Sequence, residues 1–328
     1  MVEMEVTIGS YNLNNLFSRF NFQGVISAVA DNDTEVNETV LYEFGPQDTI
    51  KIRDYIGRLV KGKDIDKIEK VAELVKEMDL DVLAVQEVED IDTLNLFNRD
   101  YLQDQKYDHV ALIEGNDPRR IDVGILSKYP LGGITSWQRA VHPDDPAKTV
   151  FGRDLLQIEI FNKTRSRRLF TIFNNHLKSK YVDFRNQGDP DAQKKNDARR
   201  TRQADIVAEI VKDQTRPDSP YIILGDMNDA PGSTCLEPFA KEPELNLVDA
   251  LAKAKETRAA PSETPKPASK IWSHRFKETG KPAVHELYDQ IWLSPSLAPK
   301  MTGAWIQRRR TLTTGGSDHD PVWIKLEL

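Results

Sequence analysis

The sequence has a single cysteine, Cys235, among 328 residues. An intramolecular disulfide framework and a cysteine-based zinc cluster are therefore excluded. No run of about 18 apolar residues free of charge occurs, so no segment reads as a membrane-spanning helix. The N-terminus carries Glu3 and Glu5 and leads into no apolar stretch, so it does not read as a signal peptide. The expectation is a cytoplasmic protein, or a secreted one whose signal has been removed. Excess positive charge is lacking as well: 45 basic residues face 52 acidic ones, for a net charge of −7. That argues against a general nucleic-acid coat and leaves room for an enzyme with a locally basic or metal-filled cleft. With 39% hydrophobic and 30% charged residues, the chain is too apolar for disorder and too charged for a membrane protein. No internal repeat is present.

What is there is a succession of short apolar strands. Residues 6–12 alternate apolar with small or polar side chains, as a strand does. Residues 21–49 are irregular and acidic, with Asp31, Asp33, Glu35, Glu38, Glu43 and Asp48. They read as an inserted loop, either mobile or resting on a second, structural cation such as Ca2+. Ile65, Ile68, Ala72, Val75 and Met78 recur every three or four residues and predict a helix capped by Asp64. Further strands are expected over 82–85, 121–126, 155–160, 169–173, 221–224, 287–293 and 322–326. A hairpin turn is expected at Asn162-Lys163-Thr164-Arg165-Ser166. A second helix is expected over 197–213, with Ile206, Val207, Ile210 and Val211 on its inner face. Residues 257–270 form a proline-rich loop. The strands are too many and too often hairpin-linked for a doubly wound sheet, and the helices too few for an eight-unit βα barrel. Two packed sheets with helices outside accommodate the element count. No linker divides the chain, so a single domain over 1–328 is expected, with irregular insertions near 21–49, 178–196 and 257–270.

Asn12, Glu87, His176, Asp226, Asn228 and Asp289 each sit at or just beyond the end of an apolar strand, where a rigid sheet can hold convergent groups. Singly, each has a plain reading: Asn12 as a turn residue, Glu87 as one exposed acid in Glu87-Val88-Glu89-Asp90, and Gly225-Asp226-Met227-Asn228 as a turn. The most informative segment is Gly316-Ser317-Asp318-His319-Asp320-Pro321, which places a carboxylate beside an imidazole directly before a strand. The imidazole can exchange protons near neutral pH, and the carboxylate suits a hard cation such as Mg2+ or Mn2+. Asp289 would be an unpaired acid in an apolar strand unless a histidine partnered it.

These segments together resemble the endonuclease/exonuclease/phosphatase superfamily, whose members include DNase I, the exonuclease III-type repair endonucleases, neutral sphingomyelinases and inositol polyphosphate 5-phosphatases. The matching pieces, in order, are Tyr11-Asn12-Leu13-Asn14, Val85-Gln86-Glu87-Val88, Gly124-Ile125-Leu126-Ser127, Asn174-Asn175-His176-Leu177, Gly225-Asp226-Met227-Asn228, Tyr288-Asp289-Gln290-Ile291-Trp292-Leu293-Ser294 and Ser317-Asp318-His319-Asp320-Pro321. The resemblance implies a DNase I-like α/β four-layer sandwich of two mostly antiparallel sheets packed face to face, with helices outside. It implies a divalent cation, Mg2+ or Mn2+, held by Asn12 and Glu87 with Asp318 nearby. Asp226 and Asn228 would position or activate the attacking water. His319, oriented by Asp289, would contact the phosphate or transfer a proton, and His176 would be the second histidine opposite. Asn14, Arg120 and Lys178 would contact the substrate. Repair-type endonucleases lack a histidine at the position of His176, which draws this chain away from an apurinic-site enzyme.

The implied activity is metal-dependent hydrolysis of a phosphodiester, most simply by a monomeric nuclease acting on nucleic acid. Residues 178–202 hold eight basic and four acidic side chains, a local +4 on an acidic chain, suited to a phosphate backbone or else a solvated face. Arg308-Arg309-Arg310 reads as a surface turn. A 5-phosphatase is disfavoured because Asp229-Ala230-Pro231-Gly232 follows the Gly-Asp-x-Asn motif without an arginine. A sphingomyelinase-type phospholipase would want an exposed aromatic hairpin, and Trp137 and Trp305 form no such cluster. A phosphatase of the same fold and a non-catalytic binding module are the remaining alternatives.

Overall fold

A computed structural model describes residues 4–17, 63–182, 188–262, 267, 271–278, 280–311 and 316–328. The acidic segment 21–49 lies outside the described residues, as do parts of the other two expected insertions. The strands in chain order are β1 (Glu5–Leu16), β2 (Val82–Val88), β3 (His109–Leu112), β4 (Asp122–Ser127), β5 (Leu131–Ser136), β6 (Val141–His142), β7 (Asp145–Thr149), β8 (Leu155–Phe161) and β9 (Arg168–His176). There follow β10 (Tyr221–Asp226), β11 (Val248–Asp249), β12 (Lys255–Glu256), β13 (His274–Phe276), β14 (Val284–Glu286), β15 (Asp289–Leu293), β16 (Met301–Ile306) and β17 (Val322–Glu327). The helices are α1 (Ile65–Met78), α2 (Ile91–Tyr101), α3 (Ala192–Gln214) and the short α4 (Glu237–Lys241).

Seven strands form one sheet in the order β12-β16-β17-β1-β2-β4-β3, and six form the other in the order β11-β15-β10-β9-β8-β5. Neighbours are antiparallel except for β1/β2 and β12/β16 in the first sheet and β9/β10 in the second. Alternation along each strand builds three apolar layers. Val6, Ile8, Val82 and Ala84 meet Ile158, Ile172, Ile222 and Ile291 between the sheets. The odd-numbered Tyr11, Leu83 and Val85 face outward against Val71 and Val75 of α1 and Leu94 of α2. On the opposite outer face, Phe173, Ile223 and Trp292 receive Val207 and Val211 of α3 and Phe239 of α4. The result is the four-layer α/β/β/α sandwich.

The helix from Ile65 forms as expected, but Asp64 makes no capping side-chain hydrogen bond and pairs with Lys67 at 2.9 Å; Asp79, just past the helix, adopts the left-handed conformation with φ 45°. The helix expected over 197–213 starts earlier, at Ala192, so the irregular stretch expected over 178–196 is shorter than its composition suggests. The sequence reading missed α2. Asp90, which seemed one more acid in an exposed run, is buried and caps that helix by accepting a hydrogen bond from the backbone N–H of Thr93 at 2.7 Å. One polar link crosses the inter-sheet core: Asn174 donates to the carbonyls of Val85 and Gly124 at 3.2 and 2.9 Å and accepts from Gln86 at 2.8 Å.

Asp122 on β4 is buried, and its Oδ1 accepts from the backbone N–H of Gly115 at 2.9 Å. Burial, reinforced by Glu114, Asp117 and Asp154, pushes its pKa up to about 7. A carboxyl raised above its unfolded value stabilises the fold while protonated, and that contribution is lost as pH rises to about 7. Asp122→Asn should match the parent in urea unfolding near pH 4 and exceed it by about 1–4 kcal/mol near pH 8. Equal stability at the higher pH would show that the buried carboxylate carries no cost.

Candidate active site

The parity that builds the core also builds the site. On β1 the inward positions run Val6, Ile8, Ser10, Asn12, and on β10 they run Ile222, Leu224, Asp226. On β9 they run Phe170, Ile172, Asn174, His176, and β15 begins with Asp289 before Ile291 and Leu293. Where the apolar core between the sheets ends, these same faces turn polar and meet. Glu87 breaks the alternation: its φ of 60° and the register shift between Gln86 and Val88 re-aim it beside the other groups. Gly225 has φ 131°, and a Cβ there would lie 2.0 Å from the carbonyl oxygen of Asn175, so only glycine lets β10 close against β9 at this height.

Asp226 is the hub. Its Oδ2 accepts from Asn12 Nδ2 at 2.9 Å, and its Oδ1 accepts from the backbone N–H of Asn228 at 2.9 Å. His176 Nε2 stands 3.5 Å from Asp226 Oδ2 and 3.7 Å from Glu87 Oε1. His319 Nε2 approaches the same Asp226 oxygen from its other side, at 3.9 Å. His319 Nδ1 lies 2.7 Å from Asp289 Oδ2. A carboxylate only accepts, so the hydrogen is on Nδ1, and Nε2 faces the cleft. Asn14 donates to Asp318 Oδ1 at 2.7 Å, and the backbone N–H of Asn15 donates to Glu87 Oε2 at 3.0 Å.

Electrostatics separate the two histidines. Burial, then Arg153 and Arg119, hold His176 well below its ordinary pKa, so it is neutral at pH 7. Burial also acts against a charge on His319, but Asp289, Asp226 and Asp318 prevail and push it up to about 10. Burial raises Asp226 to about 6, with Asp289 adding and His319 opposing. Asp318 is held below the carboxylate range: burial disfavours its charge, but the hydrogen bond from His274 and the two imidazoles win.

The sequence profile of the endonuclease/exonuclease/phosphatase family matches residues 10–319. The chain belongs to this family. Among solved structures, the human nocturnin catalytic domain with bound sulfate aligns at TM-score 0.59 and 14% identity, covering 100% of this chain and 97% of that one. A mannosyl-6-phosphatase from Bacteroides thetaiotaomicron aligns at TM-score 0.56 and 16% identity, covering 97% and 98%. A truncated TDP2 from Caenorhabditis elegans aligns at TM-score 0.54 and 17% identity, covering 99% and 98%. These identities establish a shared fold. Comparison with curated proteins gave no significant sequence match. The family is one of phosphoester hydrolases and is typically dependent on a divalent metal.

The side chains at the bottom of the cleft fit such an ion. Glu87 and Asn12 present carboxylate and amide oxygens, the donors that Mg2+ and Mn2+ take. Asp318 accepts from Asn14 with one oxygen and turns the other to His274 Nε2 at 3.5 Å.

Lys178 Nζ folds onto the carbonyl of Ser179 at 3.1 Å, and burial with Arg153 lowers its pKa to about 8. The cations that bear most on His176 are Arg153 and Arg119; Arg120 is not among them. Arg153 escaped the sequence reading. It is buried, its Nε lies 3.0 Å from Asp117 Oδ2, and its Nη1 donates to the carbonyl of Leu177 at 3.1 Å, next to His176. The signal was present as an Arg153-Asp154 pair directly before an apolar strand. His274, 4.7 Å from His319 between ring centroids, was missed as well.

One reading of a basic segment is corrected. Arg308 and Arg309 are not a surface turn: both are buried, clasping Asp320 at 2.8 and 2.6 Å. Arg309 also donates to the carbonyls of Ser317 and Asp318, at 2.8 and 2.7 Å, and so holds the loop that presents His319. Only Arg310 reaches the surface, paired with Glu77 at 2.6 Å. Among the described residues of 178–202, three of the basic side chains are engaged by carboxylates. Lys180 is tied to Asp229 at 2.8 Å, Lys195 to Asp189 at 2.6 Å, and buried Arg200 to Asp229 at 2.9 Å.

Asp320→Ala leaves buried Arg309 without its carboxylate and buried Arg308 with Glu256 alone, so a loss of about 3–5 kcal/mol is expected by chemical denaturation. A loss below about 1 kcal/mol would mean that Glu256 and the loop carbonyls suffice.

Proposed function

We propose that the protein is a divalent-metal-dependent phosphodiesterase, acting as a single catalytic unit on nucleic-acid phosphodiester bonds. The observation that carries this reading is the Asp289–His319 pair, at 2.7 Å, aimed with Asp226 and Glu87 into one cleft. Asn12 and Glu87 would hold Mg2+ or Mn2+, with Asp318 nearby; the cation would supply charge neutralisation on the phosphate oxygens. Asp226, fixed by Asn12 and Asn228, orients the attacking water and receives its proton. Asn228 spends one N–H on the carbonyl of Leu177, at 3.1 Å, and offers the other to a phosphate oxygen. His319, carrying a proton on Nε2, donates it to the leaving oxygen as the P–O bond breaks. His176 is neutral and turns Nε2 toward Asp226 and Glu87. Lys178, Arg153 and Arg119 lend positive charge on that side, and Asn14 holds Asp318 in place.

A second reading, a hydrolase of small phosphate esters, is favoured by one observation: Lys180, Lys195 and Arg200 are already neutralised by carboxylates and are not free for a polymer backbone. Turnover of plasmid DNA, single-stranded DNA and RNA against sugar phosphates, with Mg2+ and Mn2+, separates the two. Turnover confined to sugar phosphates would replace the first reading with the second.

Glu87→Gln keeps the shape and removes a charge that holds a hard cation, so hydrolysis of bis-p-nitrophenyl phosphate should fall by at least about 10²-fold with little change in melting temperature. Activity within about threefold of the parent at saturating metal would refute the role of Glu87. His319→Ala should lower turnover by about 10² to 10⁴. Asp289→Asn should lose much of the same factor, because an amide does not stabilise imidazolium. The double variant should be no slower than the worse single one, whereas multiplying losses would show two independent groups.

A further inference from the structure

Beside the oxygen-lined position of Glu87 stands a second donor set of different chemistry. His274, Asp318 and His319 each offer one ligand atom, and these atoms lie within 4.8 Å of one another. His274 Nε2 is 3.5 Å from Asp318 Oδ2, and His319 Nε2 is 3.9 Å from Asp318 Oδ1. Around a tetrahedral ion with bonds of about 2.0–2.2 Å, donors stand about 3.3–3.6 Å apart; the His274–Asp318 pair already has that spacing, and the rest of the set closes by contracting from within 4.8 Å.

The frame holding these groups is rigid. His274 and His319 face each other across an isolated antiparallel bridge. The backbone N–H of Arg275 donates to the carbonyl of Asp318 at 3.1 Å, and that of Asp320 donates to the carbonyl of Ser273 at 2.6 Å. The His274 ring stacks on Tyr288 at 4.6 Å with 15° between planes, which fixes its orientation. His319 donates its other nitrogen to Asp289, the partnership in which a carboxylate orients a metal-binding imidazole and raises its basicity. The carboxylates near His319 Nε2 favour any cation there. Asp318 is 44% exposed, so an ion has an entry path and room for water.

We propose that His274, Asp318 and His319 form a transition-metal site, selective for Zn2+-class ions over Mg2+, whose occupation silences hydrolysis. Two imidazoles and one carboxylate select such an ion over the hard cation preferred by oxygen donors. Once Nε2 of His319 is a ligand it has no proton to give. The silencing clause rests on the catalytic reading of His319 above; the binding clause does not.

The test adds Co2+ to Mg2+-saturated protein and reads its visible absorption, with no substrate present. Wild type and Glu87→Gln should both develop the intense band of a low-coordinate nitrogen–oxygen site at one equivalent. His274→Phe, which keeps the stacked ring and removes the donor nitrogen, should lose it, with Co2+ affinity down about 10–100-fold. A matching near-ultraviolet circular dichroism spectrum shows that this variant is folded, and His274→Asn stands in if it is not. One equivalent of Zn2+ should displace the band and lower Mg2+-supported turnover about tenfold or more in wild type, and by less than about twofold in His274→Phe relative to its own zinc-free rate. No band in wild type, a band that survives His274→Phe, or one lost in Glu87→Gln overturns the site. A normal band with unchanged turnover under Zn2+ overturns only the silencing, and with it the role of His319 as proton donor.

Discussion

The hydrogen bond from Asn12 to Asp226, 2.9 Å long, joins the C-terminal end of β1 in one sheet to that of β10 in the other. In each sheet the central pair of strands is parallel, β1 with β2 and β9 with β10. Side by side in the same direction, such strands deliver their C-terminal residues to one edge, where Asn12 and Glu87 meet His176 and Asp226. The link between Asp289 and His319 repeats the cross-sheet pattern a short distance away. The chemistry of the cleft depends on the two sheets keeping one registry. The Gln86–Asn174 link, buried between them, holds that registry from behind.

Charge is handled by enclosure. The chain is acidic overall, and several of its cations are turned inward. Arg308 sits over Trp272 and between Glu256 and Asp320, and Arg200 lies against Asp229. Removing one member of such a cluster costs far more than the cluster contributes over an apolar replacement, so these groups act mainly to specify geometry. Here the geometry is that of the loop before β17, whose two carbonyls are held by Arg309.

Much of this was readable in the sequence, for local reasons. Period-two alternation located most of the sandwich strands, and polar residues at the ends of those strands located Asn12, His176, Asp226 and Asp289. The pairing of Asp289 with His319 followed from the cost of an acid among apolar neighbours. What escaped was set by contacts distant in sequence. Nothing near His274 says that it will lie against His319, and nothing near Arg308 says that Glu256 and Asp320 will enclose it. A run of three arginines looks solvated until its partners are known. The kink at Glu87 was hidden too: alternation alone points that side chain to the wrong face.

The bridge between β1 and β17 also sets an order of events. β17 pairs with β1 from Glu5–Glu327 to Ser10–Val322, and the loop carrying His319 immediately precedes it. Asn12 is made early in synthesis and His319 late. On the proposed reading of His319, the cleft gains its proton donor only when β17 closes beside β1, so assembly of this sheet and assembly of the site are one event.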